Sequence, residues 1–407
     1  MKILRNSFVI ACLLIQSSIL FAQFKSIQLF NPQTNDHTPV INMGENLIFS
    51  FDELNKNYQN YDYKIVRYNR NWEPSAAFVS EFLEGSQRNR FRNYKSSFNT
   101  RVNYMHYEVK FPNTDFSFKL SGNYGIQLLK SGSNEVLAEK RFYVVQPLAD
   151  VGVSVDRINN SKAKNQRVAV VVNSPSLDFF KSNDYDLFIM QNNNPKASKT
   201  LGNPTFTQSH QLIYKSFDTN FAGGAEFEYF DTKNIDIAGM TTQNILRDRV
   251  YNVFLYRVSY PEHRVYEDQP DLDGDYYIRN MTTTPQNSAF EADYAEIHFF
   301  LEDFEPKGQE NVCVVGAFND FSCTDDSILH FNSEFDVWET KILLKQGYYN
   351  YSFATRNEDQ QMDYASVTGS FWETENKYSA LLYIKPWGQR YDLLVGYGEG
   401  YSKPPYK

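Results

Sequence analysis

Apolar and polar side chains alternate along much of this chain, most clearly from Tyr104 to Phe111. In an extended backbone Met105, Tyr107, Val109 and Phe111 fall on one face and Tyr104, His106, Glu108 and Lys110 on the other, as in a half-buried strand. Phe111-Pro112-Asn113 then stops the ladder, because proline has no N–H to donate, and Leu120-Ser121-Gly122-Asn123 supplies a turn. Tyr124, Ile126 and Leu128 open the next strand, so the two read as neighbours in a sandwich.

Further strand-like runs at 46–51, 61–69, 123–130 and 140–145 fill a first unit that closes near Pro147. Val151, Val153 and Val155 open a second, with candidate strands at 168–173, 185–191, 211–217, 226–231 and 249–260 and turns at Asn192-Asn193-Asn194-Pro195 and Ala222-Gly223-Gly224. A polar connection follows, and a third unit starts with alternating Ala295, Ile297, Phe299 and Leu301. Lys345-Gln346-Gly347 reads as a hairpin turn between two of its strands. The expected class is all-β: tandem immunoglobulin-like β-sandwich domains over 23–147, 148–287 and 288–407, preceded by a cleaved signal peptide over 1–22.

Composition fits that class. The 407 residues include 33 phenylalanines and 29 tyrosines, and large rings suit the pleated surface of a sheet. Lys2 and Arg5, an apolar run over 8–22 and then Gln23 have the layout of an export signal, with cleavage expected after Ala22. That run is shorter than the roughly 20 residues that span a bilayer. Val9-Ile10-Ala11-Cys12 has the look of a lipidation box, but the apolar stretch continues past Cys12, where an anchor is normally followed by a polar tether. No later stretch is apolar enough to cross a membrane, so direct lipid insertion is not expected.

Removing 1–22 takes away two cations and no acids, leaving 40 − 2 = 38 basic against 49 acidic residues, a net charge of −11. That balance disfavours nucleic acid and anionic headgroups as partners. Cys313 and Cys323 remain as a candidate disulfide, the alternative being two buried thiols in one hairpin.

The residues that could carry chemistry do not assemble into a known set. His37, His106, His210, His263, His298 and His330 form no short metal motif, and His106 and His298 fall on polar strand faces, where a surface imidazole is expected. Asp271-Leu272-Asp273-Gly274-Asp275 has the acids of a calcium loop, but its glycine precedes the third acid and Thr282 stands where a bidentate glutamate belongs. It reads as an aspartate-rich turn. There is no Gly-x-Ser-x-Gly elbow and no phosphate-cradling loop. Glu373 and Glu375 would share one face of an extended segment, whereas glycosidase carboxylates flank a cleft from separate segments. The expectation is no catalytic residue, no metal and no cofactor.

Two binding readings stay open on the residues alone. Arg88, Arg90 and Arg92 recur at every second position, a row that could meet an acidic partner surface or act as a solvated edge that discourages sheet aggregation. The third unit looks like the immunoglobulin-like modules of starch-active and glycogen-binding proteins, through Gly316-Ala317-Phe318-Asn319-Asp320-Phe321. With Trp338, Trp372 and Trp387 in the same unit, a periplasmic or surface glycan-binding protein is the alternative.

An ordered series of motifs decides between these readings. Trp72-Glu73-Pro74-Ser75, Glu81-Phe82-Leu83-Glu84-Gly85, Tyr94-Lys95-Ser96-Ser97-Phe98-Asn99-Thr100, Met105-His106-Tyr107, Phe111-Pro112-Asn113 and Leu120-Ser121-Gly122-Asn123-Tyr124 follow one another. Later come Leu344-Lys345-Gln346-Gly347-Tyr348-Tyr349-Asn350-Tyr351, Gly369-Ser370-Phe371-Trp372-Glu373-Thr374-Glu375-Asn376 and Arg390-Tyr391-Asp392. In these motifs the chain resembles the type IX secretion system plug protein family. The resemblance implies a periplasmic protein held at the inner face of the outer membrane by its partner, the giant translocon barrel of that system (SprA/Sov type), whose pore it seals when no cargo passes. It implies no enzymatic activity.

Overall fold

The structure, a computed structural model, describes residues 24–54, 57–158, 164–180, 184–261 and 264–403. The expected signal peptide and His263 lie outside the described residues. Almost every ordered element is a strand. Among the described residues no helix is long and apolar enough to cross a membrane.

The first sandwich faces a four-stranded sheet against a five-stranded one. The first sheet runs Phe24–Phe30, Leu47–Glu53, Met105–Phe111, Asn93–Ser96, and the second Val40–Asn42, Val136–Val145, Gly122–Lys130, Tyr61–Tyr68, Arg88–Arg90. Strands 105–111 and 122–130 are therefore not ladder neighbours, as their adjacency in sequence suggested, but lie in opposite sheets. Inward rings of the two sheets meet across the core: Tyr61 meets Tyr107 edge-on at 5.2 Å, and Phe111 meets Phe142 edge-on at 5.3 Å. Such aromatic pairs add about 0.5–1.5 kcal/mol each beyond simple burial.

The expected boundaries after 147 are redrawn. Strands Ala149–Arg157, Asn165–Asn173, Tyr185–Gln191, Asn194–Leu201, Phe206–Gln208, Gln211–Tyr214 and Asn220–Ala222 join one nine-stranded sheet whose remaining members, Lys377–Ile384 and Leu393–Tyr401, come from the end of the chain. The sheet curls on itself, so that Val168, Val170 and Val172 share a core with Leu187, Ile189, Ala380 and Leu382. Leu393–Tyr401 also runs parallel to the start of Ala149–Arg157. This approach is so close that a Cβ on Gly398 would sit on the Val151 carbonyl, which accounts for the glycines at 396, 398 and 400.

The third sandwich is inserted between these two halves. It takes Glu228–Asp231, Thr242–Arg247, Tyr251–Leu255 and Tyr276–Ile278 from the expected middle unit and joins them to strands between Tyr294 and Asp363. Residues 345–347 are not a hairpin turn. Val337–Lys345 pairs with Tyr294–Glu302 in one sheet, whereas Gly347–Arg356 pairs with Glu228–Asp231 and Tyr276–Ile278 in the other, so the chain arches across the sandwich. Sequence order cannot distinguish an arch from a hairpin, because both need the same short turn.

Candidate functional site

The polar face that alternation assigned to strand 105–111 is solvated only at its far end: Lys110 is exposed, Glu108 half-buried and His106 buried. Asp52 lies opposite His106 in the antiparallel ladder, so both project outward from the first sandwich, and the third sandwich covers them. Lys345, at the end of its strand and opposite Tyr294, reaches Asp52 with Nζ 2.5 Å from Oδ2. The Tyr294 hydroxyl donates to the same carboxylate at 2.7 Å, and His106 Nδ1 lies 2.7 Å from its other oxygen. Asp52 is fully buried and Lys345 only 2 % exposed. The lysine also donates to the Ala289 carbonyl at 2.5 Å and lies 4.2 Å over the Tyr104 ring.

Burial alone would push the Asp52 carboxyl up, but Lys345 and the His106 hydrogen bond outweigh it and hold it below its ordinary value. Burial likewise works against the His106 imidazolium, yet hydrogen bonds to Asp52 and Glu108 raise its pKa. His106 is thus a buried ionic partner and not the surface imidazole that its place in the alternation suggested. His298 is half-buried, with Nε2 2.9 Å from the Asn252 side-chain oxygen and its ring stacked on Phe254.

A second joint ties the first sandwich to the curled middle sheet. Arg67, 3 % exposed, donates to Ser75 Oγ at 2.7 Å, to the Ser121 carbonyl at 2.9 Å, and to the Asp392 carbonyl. Arg70 reaches Asp184 and Asp186, each at 2.8 Å, and its backbone N–H donates to Asp392 at 2.9 Å. Tyr383 donates to Asn123 at 2.7 Å, and Trp72 packs on Tyr143 at 5.4 Å.

The third joint lies where the chain leaves and re-enters the middle sheet. Gln166 donates to the Trp372 and Thr374 carbonyls, and Asn376 donates to Gln166 and to the Gly223 carbonyl. Glu375 is not on a strand shared with Glu373; the segment turns and buries Glu375 beside Asp271 and Asp273. Burial first, then mutual repulsion, pushes Asp271 and Asp273 up to about 8 and Glu375 up to about 7.

The motif residues thus gather at the joints: Trp72, Ser75, Ser121, Asn123 and Asp392 at one, His106 and Lys345 at another, Thr374 to Asn376 at the third. They join three sandwiches into one block.

Arg88, Arg90 and Arg92 are not a free row. Strand Arg88–Arg90 is the edge of its sheet, but Arg88 is paired with Asp62 at 2.8 Å and donates to the Ser133 carbonyl at 2.7 Å. Arg90 lies 3.7 Å from the same carboxylate and Arg92 3.1 Å from Asp115, with Arg90 and Arg92 the more exposed. Cys313 and Cys323 are joined, with Cα atoms 5.4 Å apart.

The aromatic residues of the glycan reading do not share a surface. Phe321 is buried, Phe318 packs toward Tyr349 at 5.9 Å, and the Trp338 ring N–H donates to the Phe304 carbonyl at 2.9 Å. Trp387 lies in the loop between the last two strands of the middle sheet, outside the third sandwich, and is fully exposed. That loop is held to the first sandwich by Arg390, which pairs with Glu81 at 3.2 Å and lies 4.7 Å over the exposed Phe78 ring. Phe78 and Val79 are thus exposed beside the Arg390 end of the loop that carries Trp387, at the seam between two domains; Phe78 and Val79 fall outside the motif strings.

Comparison with known proteins assigns the first sandwich. Residues 24–146 match the family model described as type 9 secretion system plug protein 1st domain. The N-terminal domain belongs to that plug family. The match covers the sandwich that carries the Trp72 to Tyr124 motifs and supports a plug role in type IX secretion, in association with a component of that system and at the periplasm or outer membrane. A crystal structure of a hypothetical protein from Parabacteroides merdae ATCC 43184 is similar over 93 % of this chain and 97 % of its own, with 27 % identity and a TM-score of 0.88. The plug-family domain therefore occurs in a three-body arrangement that a second chain shares. An alkylpurine DNA glycosylase from Pseudomonas fluorescens, bound to DNA containing an abasic site analog, aligns over 30 % of each chain at 17 % identity; its TM-score of 0.18 carries no argument. No curated protein matches the chain.

Proposed function

We propose that this chain is a non-catalytic periplasmic plug that seats on the periplasmic mouth of the giant outer-membrane translocon barrel of the type IX secretion system and seals its pore between cargoes. The plug-family match of residues 24–146 carries this reading. Mechanics favour it too. Closing a wide aqueous pore calls for a broad body that does not lose entropy by ordering when it docks. Polar joints between all three sandwiches, one of them a buried ion pair, make such a body. The seam with exposed Phe78, Val79 and Trp387 is a surface of the kind that a protein partner covers, since aromatic anchors dominate binding energy. Arg90 and Arg92, on and just beyond the edge strand, are further candidate contacts. Arg88 holds Asp62 and stabilises the fold itself.

Affinity purification of the tagged chain from gently solubilised envelopes tests the proposal. One very large outer-membrane barrel should co-purify, and Phe78→Glu with Trp387→Glu should reduce its recovery at least tenfold. Recovery of the tagged chain alone, retained on a polysaccharide column, would replace this reading with glycan binding.

A further inference from the structure

Asp271 and Asp273 belong to the loop before strand Tyr276–Ile278, whereas Glu375 lies on the return from the third sandwich to the middle sheet. Despite the distance in sequence, each presents an oxygen within 4.8 Å of the other two. Backbone N–H groups hold the aspartates in place: Phe227 and Asp273 donate to Asp271 at 2.6 and 2.8 Å, and Lys377 donates to Asp273 at 3.3 Å. Glu226, on the outgoing crossing, accepts from the Glu375 N–H at 3.0 Å and from the Tyr266 hydroxyl.

The oxygens left over are what point to a ligand. Glu375 is 6 % exposed, and its Oε1 is buried with no hydrogen-bond partner; Glu226 Oε2 is in the same state. Buried carboxylate oxygens without a donor are rare and costly. The nearest cations are engaged elsewhere. Lys377 Nζ pairs with Glu399 at 2.6 Å, and Lys403 pairs with Asp268 at 2.9 Å while standing 3.9 Å from Glu226.

We propose that Asp271, Asp273 and Glu375 bind a divalent cation of the calcium class, which clamps the two crossings between the middle sheet and the third sandwich. An all-oxygen, carboxylate-rich set suits a hard cation. Ligands at roughly 2.4 Å from a calcium ion stand up to about 4.8 Å apart, and the three oxygens lie within that limit of one another. Glu375 supplies from a distant segment the long carboxylate that the local loop lacks at Thr282. Water and backbone carbonyls would complete the shell.

The test uses the full mature chain, stripped with EDTA, titrated with calcium chloride in a calorimeter and then melted. One equivalent should bind with a Kd of order 10⁻⁴ M, and about 5 mM calcium should raise Tm by about 2–5 °C. Magnesium, which demands a tighter octahedral shell, should raise it less. Asp271→Asn with Glu375→Gln should abolish both the heat and the shift. These near-isosteric changes relieve repulsion, so the variant should fold. Absence of heat and of any Tm shift in the wild-type chain would overturn the proposal without reference to a variant. An undiminished calcium response in the double variant would move the ion elsewhere and overturn it equally.

Discussion

Replacing Lys345 by methionine tests whether the charged joint between the first and third sandwiches holds the block together. Methionine keeps most of the side-chain volume and removes only the ammonium. The lysine is 2 % exposed and lies 2.5 Å from a fully buried Asp52, so its loss leaves a carboxylate that water cannot reach, with only His106 and Tyr294 to satisfy it. Breaking a buried pair from one side costs about 3–5 kcal/mol. The hydrogen bond to the Ala289 carbonyl adds about 1 kcal/mol, and the ability of His106 to carry charge offsets part of the total. We expect about 3 kcal/mol, read from the shift of the urea midpoint at constant slope, with tryptophan fluorescence and circular dichroism reporting together. Asp52→Asn combined with Lys345→Met removes both charges and should cost at least about 1.5 kcal/mol less than the sum of the singles. A single-variant loss below about 1 kcal/mol, or a double variant additive within about 0.5 kcal/mol, would refute the reasoning.

His106 should give stability a slope on its alkaline side. Its folded pKa is raised above 6.5, so the protonated form stabilises the fold; this contribution is full below about 6.5 and is lost as pH rises through the folded value. Asp52 behaves in the opposite sense: its lowered pKa gives stability that is present above about 3.9 and lost as pH falls through the folded value. Urea midpoints between about pH 6 and 9 should fall for the wild type and stay flatter for His106→Asn, and parallel profiles would contradict the assignment. Cys313 and Cys323 should resist thiol labelling in the denatured chain until reduced, and Cys313→Ala with Cys323→Ala should cost about 2–3 kcal/mol for a loop of this length. Two freely labelled thiols would dismiss the bond.

Strands were legible where aromatic and aliphatic residues clustered between turn signals. The runs at 61–69 and 185–191 correspond to Tyr61–Tyr68 and Tyr185–Gln191. Connectivity was not legible, since the ladder from Lys377–Ile384 to Tyr185–Gln191 joins residues nearly two hundred positions apart, and no local pattern marks such a partner. His106 misled for a related reason. Alternation tells which face leaves its own core but not what lands on that face, and here a second sandwich does. Asp271 and Asp273 failed as a calcium loop at the glycine position and at Thr282, and only folding brings Glu375 beside them.

The sealing claim is tested most directly by single-channel conductance of the purified translocon barrel in a planar bilayer, with this chain added from the periplasmic side. The account predicts that a large, steady current falls to near zero when the wild-type chain is added and persists when the Phe78→Glu, Trp387→Glu variant replaces it. A current unchanged by the wild-type chain at saturating concentration would contradict it.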